Sequence, residues 1–154
     1  MKVLCDQMLG SLARWLRFIG IDTFFSTEKL SDSDLLKIAQ HDDRVLITRD
    51  KQLVTRAQKR QQKTIFLESV SVSDQLKKVL LSIPLDQQTV FSRCSVCNTQ
   101  LTQVKKPLVK NHVPARVFSS HETFWFCSTC NKYYWHGTHT DAIKKTLSEL
   151  GIET

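Results

Sequence analysis

The sequence contains no run approaching the ~18 apolar residues of a membrane span, no internal repeat and no low-complexity tract. These absences exclude a helical membrane protein, a repeat array and a disordered chain. No targeting stretch opens the chain, and its five cysteines are an odd number. Both features argue against a secreted disulfide scaffold and lead us to expect a cytoplasmic protein with reduced thiols. No side chain is placed by sequence to act as a covalent nucleophile. What remains is ordinary globular composition, 41% hydrophobic and 24% charged over 154 residues, enough for one core and a small metal-stapled appendage. The net charge of +7, shared as +3 before residue 93 and +4 from residue 93 onward, favours a polyanionic partner.

Four of the five cysteines form two knuckles, Cys94-Ser-Val-Cys97 and Cys127-Ser-Thr-Cys130, 29 residues apart. Two residues between paired thiols let both sulfurs turn onto one tetrahedral Zn²⁺. Each knuckle is followed by an asparagine, Asn98 or Asn131, a residue that tolerates the left-handed turn required there. Four thiolates leave no open coordination position, so this is a structural site and chemistry belongs elsewhere. With four cysteines in place, His136 and His139 are not needed as ligands. Cys5, inside an apolar run, reads as a small hydrophobe.

Short apolar runs alternating with amphipathic stretches predict a parallel α/β sheet over the first 80 or so residues. Strands are expected at Lys2–Cys5, Thr23–Phe25, Arg44–Thr48 and Thr64–Leu67. Helices are expected from Met8 to Ile19, ending at Gly20, from Ser31 with Asp34 completing a capping box, over Lys51–Arg60, and over Ser73–Leu81 capped by Ser73. Periodicity lapses after Ile83-Pro84, which divides the chain into residues 1–83, a linker at 84–92, and a zinc ribbon with a C-terminal helix at 93–154. Within the ribbon, Lys105 to His121 reads as an irregular or hairpin excursion, and Asp141 to Leu150 as a helix capped by Thr140.

Open α/β sheets bind ligands beyond the carboxyl ends of their strands. Asp6, Asp50 and Glu68 end three strands and converge there, joined by Asp32 and Asp34 if the loop before the second helix lies at that edge. Carboxylates so crowded repel one another unless a hard cation, Mg²⁺ or Mn²⁺, lies among them, and such an ion also binds phosphate oxygens. Asp34 and Asp50 can equally cap helices, and Asp32 can serve a helix dipole. Arg14 and Arg17, three apart on the first helix, and Arg49 and Lys51, flanking Asp50, are candidates to contact RNA phosphates. Trp15 is read as core. The aromatics Trp125, Phe126, Tyr133, Tyr134 and Trp135 could stack on unpaired bases but are read mainly as bulk for a small domain.

Cys5-Asp6-Gln7-Met8-Leu9-Gly10-Ser11-Leu12-Ala13-Arg14-Trp15-Leu16-Arg17 and Val45-Leu46-Ile47-Thr48-Arg49-Asp50 resemble the Mut-seven C-terminal ribonuclease domain family, a PIN-like group. The resemblance continues through Arg93-Cys94-Ser95-Val96-Cys97-Asn98 and Tyr134-Trp135-His136-Gly137-Thr138-His139. It implies a three-layer PIN-like domain with a parallel central sheet, followed by a small zinc ribbon, and metal-dependent cleavage of RNA. It also implies metal-holding roles for Asp6, for Asp32 or Asp34, and for Asp50, with Thr48 as the accompanying hydroxyl and Glu68 as the candidate fourth acid. A non-catalytic RNA-binding adaptor is the alternative expectation, and a nuclease silenced by a regulatory protein partner a third. Sequence does not fix the oligomeric state.

Overall fold

Alternation along the strands assigns the layers. In the computed structural model, which describes residues 1–151, Val3 and Cys5 of β1 (Lys2–Cys5) face one apolar cluster and Leu4 faces the other. In β3 (Arg44–Thr48), Val45 and Ile47 join the first cluster and Leu46 the second. With β2 (Asp22–Phe24) and β4 (Thr64–Phe66) these strands form a four-stranded sheet in the order β2-β1-β3-β4, every pair parallel. Parallel neighbours need crossover connections, and helices supply them.

Helix α1 (Gly10–Phe18) follows a 3₁₀ turn at Gln7–Leu9 and packs Leu12, Ala13 and Leu16 on the first face together with Leu76 and Val79 of α4 (Val72–Ser82). Helices α2 (Asp32–His41) and α3 (Lys51–Lys59) cover the other face through Leu35, Leu36, Ala39, Leu53 and Ala57. The result is the expected α/β three-layer domain. Ser31 and Asp34 form the expected capping box, each side chain meeting the other's backbone N–H. Helix α4 is capped by Ser71, not Ser73, because the chain turns one polar residue earlier and Ser71 accepts from the Asp74 N–H.

Gly20 ends the first helix at φ +86°, where a Cβ would lie 2.1 Å from the Thr89 carbonyl oxygen. Both the backbone angle and the close passage of residue 89 therefore demand glycine. Residues 84–92 are not a free tether. Gln87–Thr89 form a 3₁₀ turn, Leu85 and Phe91 pack on the first core cluster, and the Phe91 N–H donates to the Phe18 carbonyl at 2.7 Å.

The C-terminal part builds an antiparallel sheet, β5-β6-β7, from β5 (Thr102–Val104), β6 (Phe124–Cys127) and β7 (Lys132–Tyr134). The excursion expected to be irregular holds a 3₁₀ turn at Lys106–Val109, with Pro107 in its first turn, and a short helix α5 (Ala115–Ser120) preceded by Pro114. Both prolines thus start helical turns, where a missing N–H costs nothing. Helix α6 (Thr138–Glu149) starts earlier than expected, with Gly137 at the cap; Thr140 lies inside and donates its hydroxyl to the Gly137 carbonyl. Its Ile143 and Leu147 are buried in the first cluster of the N-terminal domain. The side chain of His139 lies outside the described residues. No helix among the described residues is long and apolar enough to cross a membrane.

Candidate functional site

Even-numbered positions of β1 and β3 face the α2/α3 layer, so Asp6, just past β1, and Thr48, the last residue of β3, come side by side at the carboxyl end of the sheet. The Asp6 N–H donates to the Ile47 carbonyl at 3.0 Å, which carries the β1–β3 ladder one residue further. The buried Thr48 hydroxyl then donates to Asp6 Oδ2 at 2.8 Å and accepts from the Asp50 N–H at 3.0 Å. Asp50 also caps α3, its Oδ1 accepting from the Gln52 and Leu53 N–H groups at 2.7 and 3.2 Å. Capping occupies one oxygen, so both readings of this residue are compatible. Thr48 thus ties the Asp6 carboxylate to the backbone of Asp50.

The remaining acids are less tightly gathered. The Leu67 N–H bonds to the Thr48 carbonyl at 2.9 Å, which brings the exposed Glu68 to the same sheet edge, beside an open groove of ≈ 700 Å³ under α4. The loop before α2 also reaches this edge, since Gln7 Nε2 donates to the Glu28 carbonyl at 2.8 Å. Asp32 is engaged by Arg56 of α3 at 3.1 Å, and Asp34 by Ser31, whose hydroxyl bond holds its carboxyl below the usual carboxylate range. Among the described residues the only group of three or more donor side chains within mutual ligand distance is the cysteine set. The fold therefore brings Asp6 and Asp50 together through Thr48, and leaves Asp32, Asp34 and Glu68 around them rather than among them.

Arg14 is exposed, as is Lys51 at the start of α3. Arg49 is half-buried beside Asp50, and its Nε is a buried donor with no hydrogen-bond partner. An unpaired buried guanidinium donor costs free energy. Arg17 contradicts the sequence expectation. It is only 4% exposed, and its guanidinium donates to the carbonyls of Thr23 at 3.0 Å, Ser95 at 3.3 Å and Val96 at 2.6 Å. It is consumed in holding the first knuckle and cannot reach a phosphate. The helical wheel carries the missed signal: Arg17 lies about 100° from the centre of the apolar stripe and Arg14 nearly opposite it.

The four sulfurs of Cys94, Cys97, Cys127 and Cys130 lie within 4.8 Å of one another, with Cys94–Cys130 at 3.8 Å and Cys97–Cys127 at 3.4 Å. Metal–sulfur bonds of about 2.3 Å in a tetrahedron imply sulfur separations of roughly 3.8 Å, so the set can hold a metal such as zinc. Asn98 and Asn131 take φ +71° and +53°, the left-handed turns expected after each knuckle. Tyr134 Oη lies 3.0 Å from Cys94 Sγ, and burial pushes its phenol above the ordinary range. Cys5 is buried, its thiol pushed up to about 12 by that burial.

A second network, not visible in the sequence, joins the two parts. Asp22 accepts from Arg44 Nη1 at 2.6 Å and Asn98 Nδ2 at 3.0 Å, with Arg93 Nη2 at 3.5 Å. Asn98 Oδ1 in turn accepts from the Thr23 N–H at 2.9 Å, and Arg93 donates to the carbonyls of Gly20 and Asn98. Burial raises the Asp22 carboxyl, but hydrogen bonds from Arg44 and Asn98, helped by the arginine charges, outweigh it and hold it below the usual range.

Comparison with known proteins adds two findings. A family model described as the Mut7-C RNAse domain matches residues 1–147. A human protein described as "Exonuclease mut-7 homolog" is 28% identical over 114 residues, 71% of this chain and 13% of that protein. The chain thus spans a small fraction of that relative's length.

Proposed function

Because the chain belongs to the Mut7-C RNAse domain family, its function is of the nuclease type, and we propose that it hydrolyses RNA phosphodiesters with the help of a divalent cation. The observation that supports this most is the Asp6–Thr48–Asp50 chain of hydrogen bonds at the carboxyl ends of the strands. Asp6, Asp50 and, from the surrounding positions, Asp32, Asp34 or Glu68 would hold Mg²⁺ or Mn²⁺. When bound, such an ion activates water and offsets charge on the phosphate. Thr48 keeps Asp6 oriented by donating its hydroxyl to Asp6 Oδ2. Arg49 beside Asp50, together with Arg14 and Lys51, would contact RNA phosphates, and guanidinium suits that task. The cysteine set would carry structural Zn²⁺, and the protein would work in the cytoplasm.

The test is cleavage of single-stranded and structured RNAs with Mg²⁺ or Mn²⁺ by wild type and Asp6→Asn. We expect Asp6→Asn to keep its fold and lose cleavage by about a thousandfold, the scale of removing a preorganised electrostatic group. Full activity in a nuclease-free preparation of Asp6→Asn would end this assignment. A second reading, an RNA-binding adaptor without catalysis, is favoured by the engagement of Asp32 with Arg56 and Asp34 with Ser31, which leaves a short acid set. It predicts RNA binding without metal-dependent cleavage. A silencing protein partner would instead copurify stably with the chain.

A further inference from the structure

A cavity of ≈ 280 Å³ opens where the end of α1, the segment at residue 91, the ribbon sheet and the start of α6 meet. Its walls are aromatic, from Phe91, Trp125, Tyr134, Trp135 and His136, with Arg93 and no carboxylate in its lining. We propose that this cavity binds an unpaired nucleobase of the RNA strand. The proposal rests on the RNA reading above and adds where the strand is held.

Three observations carry it. Aromatic faces gather at the mouth: the exposed His136 imidazole stacks on Trp125 with centroids 4.5 Å apart and planes 20° apart, and meets the Phe91 ring at 5.4 Å, tilted by 59°. Aromatic faces at an open mouth are what proteins use to stack splayed bases. Partial burial against these rings and the Lys144 charge push the His136 ionisation down. Second, Phe91 has φ +60°. For a bulky residue that is a strained conformation, and such strain gathers at ligand sites. The Phe91 N–H donates to the Phe18 carbonyl, and the ring lines the cavity. Third, the surroundings suit a polyanion: Lys144 Nζ lies 6.0 Å over the Phe91 ring, and residues 93–154 carry a net +4. The volume lies at the low end for ligand pockets, which fits one ring system rather than a peptide segment. The cavity lies at the far end of α1 from Asp6, and nine helical residues span about 13 Å. The base held here is therefore distinct from those flanking the scissile bond.

The test uses the whole 154-residue chain carrying Asp6→Asn as host, so that RNA survives the titration, and reads tryptophan fluorescence and affinity. The probes are a single-stranded RNA oligomer and an oligomer of the same length and charge built of abasic nucleotides. We expect the first to quench fluorescence and bind about tenfold more tightly than the second, the scale of one stacked base. His136→Ala and, separately, Trp125→Leu should shrink that difference while metal content and circular dichroism stay at the host's values. If Trp125→Leu disturbs the ribbon, His136→Ala decides, since its side chain is exposed. Equal binding of the two oligomers would overturn the proposal, and so would a base-dependent difference that survives both substitutions. Protection of the cavity by an apolar peptide but not by RNA would count against it in the same way. Metal-dependent cleavage by wild type is scored separately, so an inactive protein that still discriminates base from abasic RNA would keep the cavity and lose the nuclease.

Discussion

The two ends of the parallel sheet both carry charged side chains and treat them in opposite ways. At the amino end, Asp22 is surrounded by Arg44, Arg93 and Asn98, and Arg17 spends its donors on carbonyls of β2 and the first knuckle. At the carboxyl end, Asp6 and Asp50 share only a threonine hydroxyl and backbone donors, and a buried arginine Nε has no partner. Saturated polar groups hold parts together; groups left with spare capacity are available to a ligand. The contrast separates joint from site without appeal to any relative.

The strongest way to break the contrast is to dissolve the joint from the metal side. Cys130→Ser should abolish metal binding and unfold the ribbon, because structural metal contributes on the order of 10 kcal/mol to small domains. Elemental analysis and near-ultraviolet circular dichroism would report it, and a variant with full metal and native spectrum would remove the sulfur set from the argument. Next comes Arg17→Ala, which leaves three carbonyls without a charged donor and should lower stability by about 2–4 kcal/mol. Arg14→Ala, on the exposed side of the same helix, should be within about 0.5 kcal/mol of wild type. Denaturant unfolding of the pair measures the difference between joint and surface directly.

Acid sharpens the contrast further. The Asp22 carboxyl has a folded pKa below its unfolded value of about 3.9, so its contribution is complete above that pH and fades as pH falls through the folded pKa. Docking of ribbon on sheet should therefore weaken below about pH 4, and Asp22→Asn should remove that part of the pH dependence. Stability profiles of the two proteins between pH 6 and 3, read by thermal melting, would run parallel if Asp22 were idle. The smallest effect is expected at Arg14. If it meets one phosphate, Arg14→Ala should flatten the slope of log affinity against log salt by about 0.7 on single-stranded RNA, while an unchanged slope would make it a solvated face.

Features with local causes were legible in the sequence. The capping box at Ser31 and Asp34, the asparagine turns at Asn98 and Asn131, the glycine stop at Gly20 and the strand-end places of Asp6 and Asp50 each follow from residues within a few positions. The joint was not legible, because Arg17 finds its partners 78 and 79 positions away and Asn98 finds Thr23 at 75. Spacing alone made Arg17 resemble Arg14, and only its angle to the apolar stripe hinted that one is inward and the other outward. Asp32 was legible as a charge near a helix start but not as a partner of Arg56 on the neighbouring helix. The aromatic cavity was hidden for a different reason: bulk that fills a small ribbon core and bulk that lines an open cleft have the same composition.

Asn98 does one more thing. The outer margin of β2 would otherwise expose the N–H and C=O of Thr23, but the Asn98 amide oxygen takes the first and the Arg17 guanidinium the second. Two side chains thereby stand in for the missing neighbouring strand. Unpaired strand margins are templates on which other chains add, and at Thr23 both backbone groups are already taken. A chain cut before residue 93 would keep the Arg17 plug and lose the Asn98 one, leaving Thr23 to recruit a strand from another molecule.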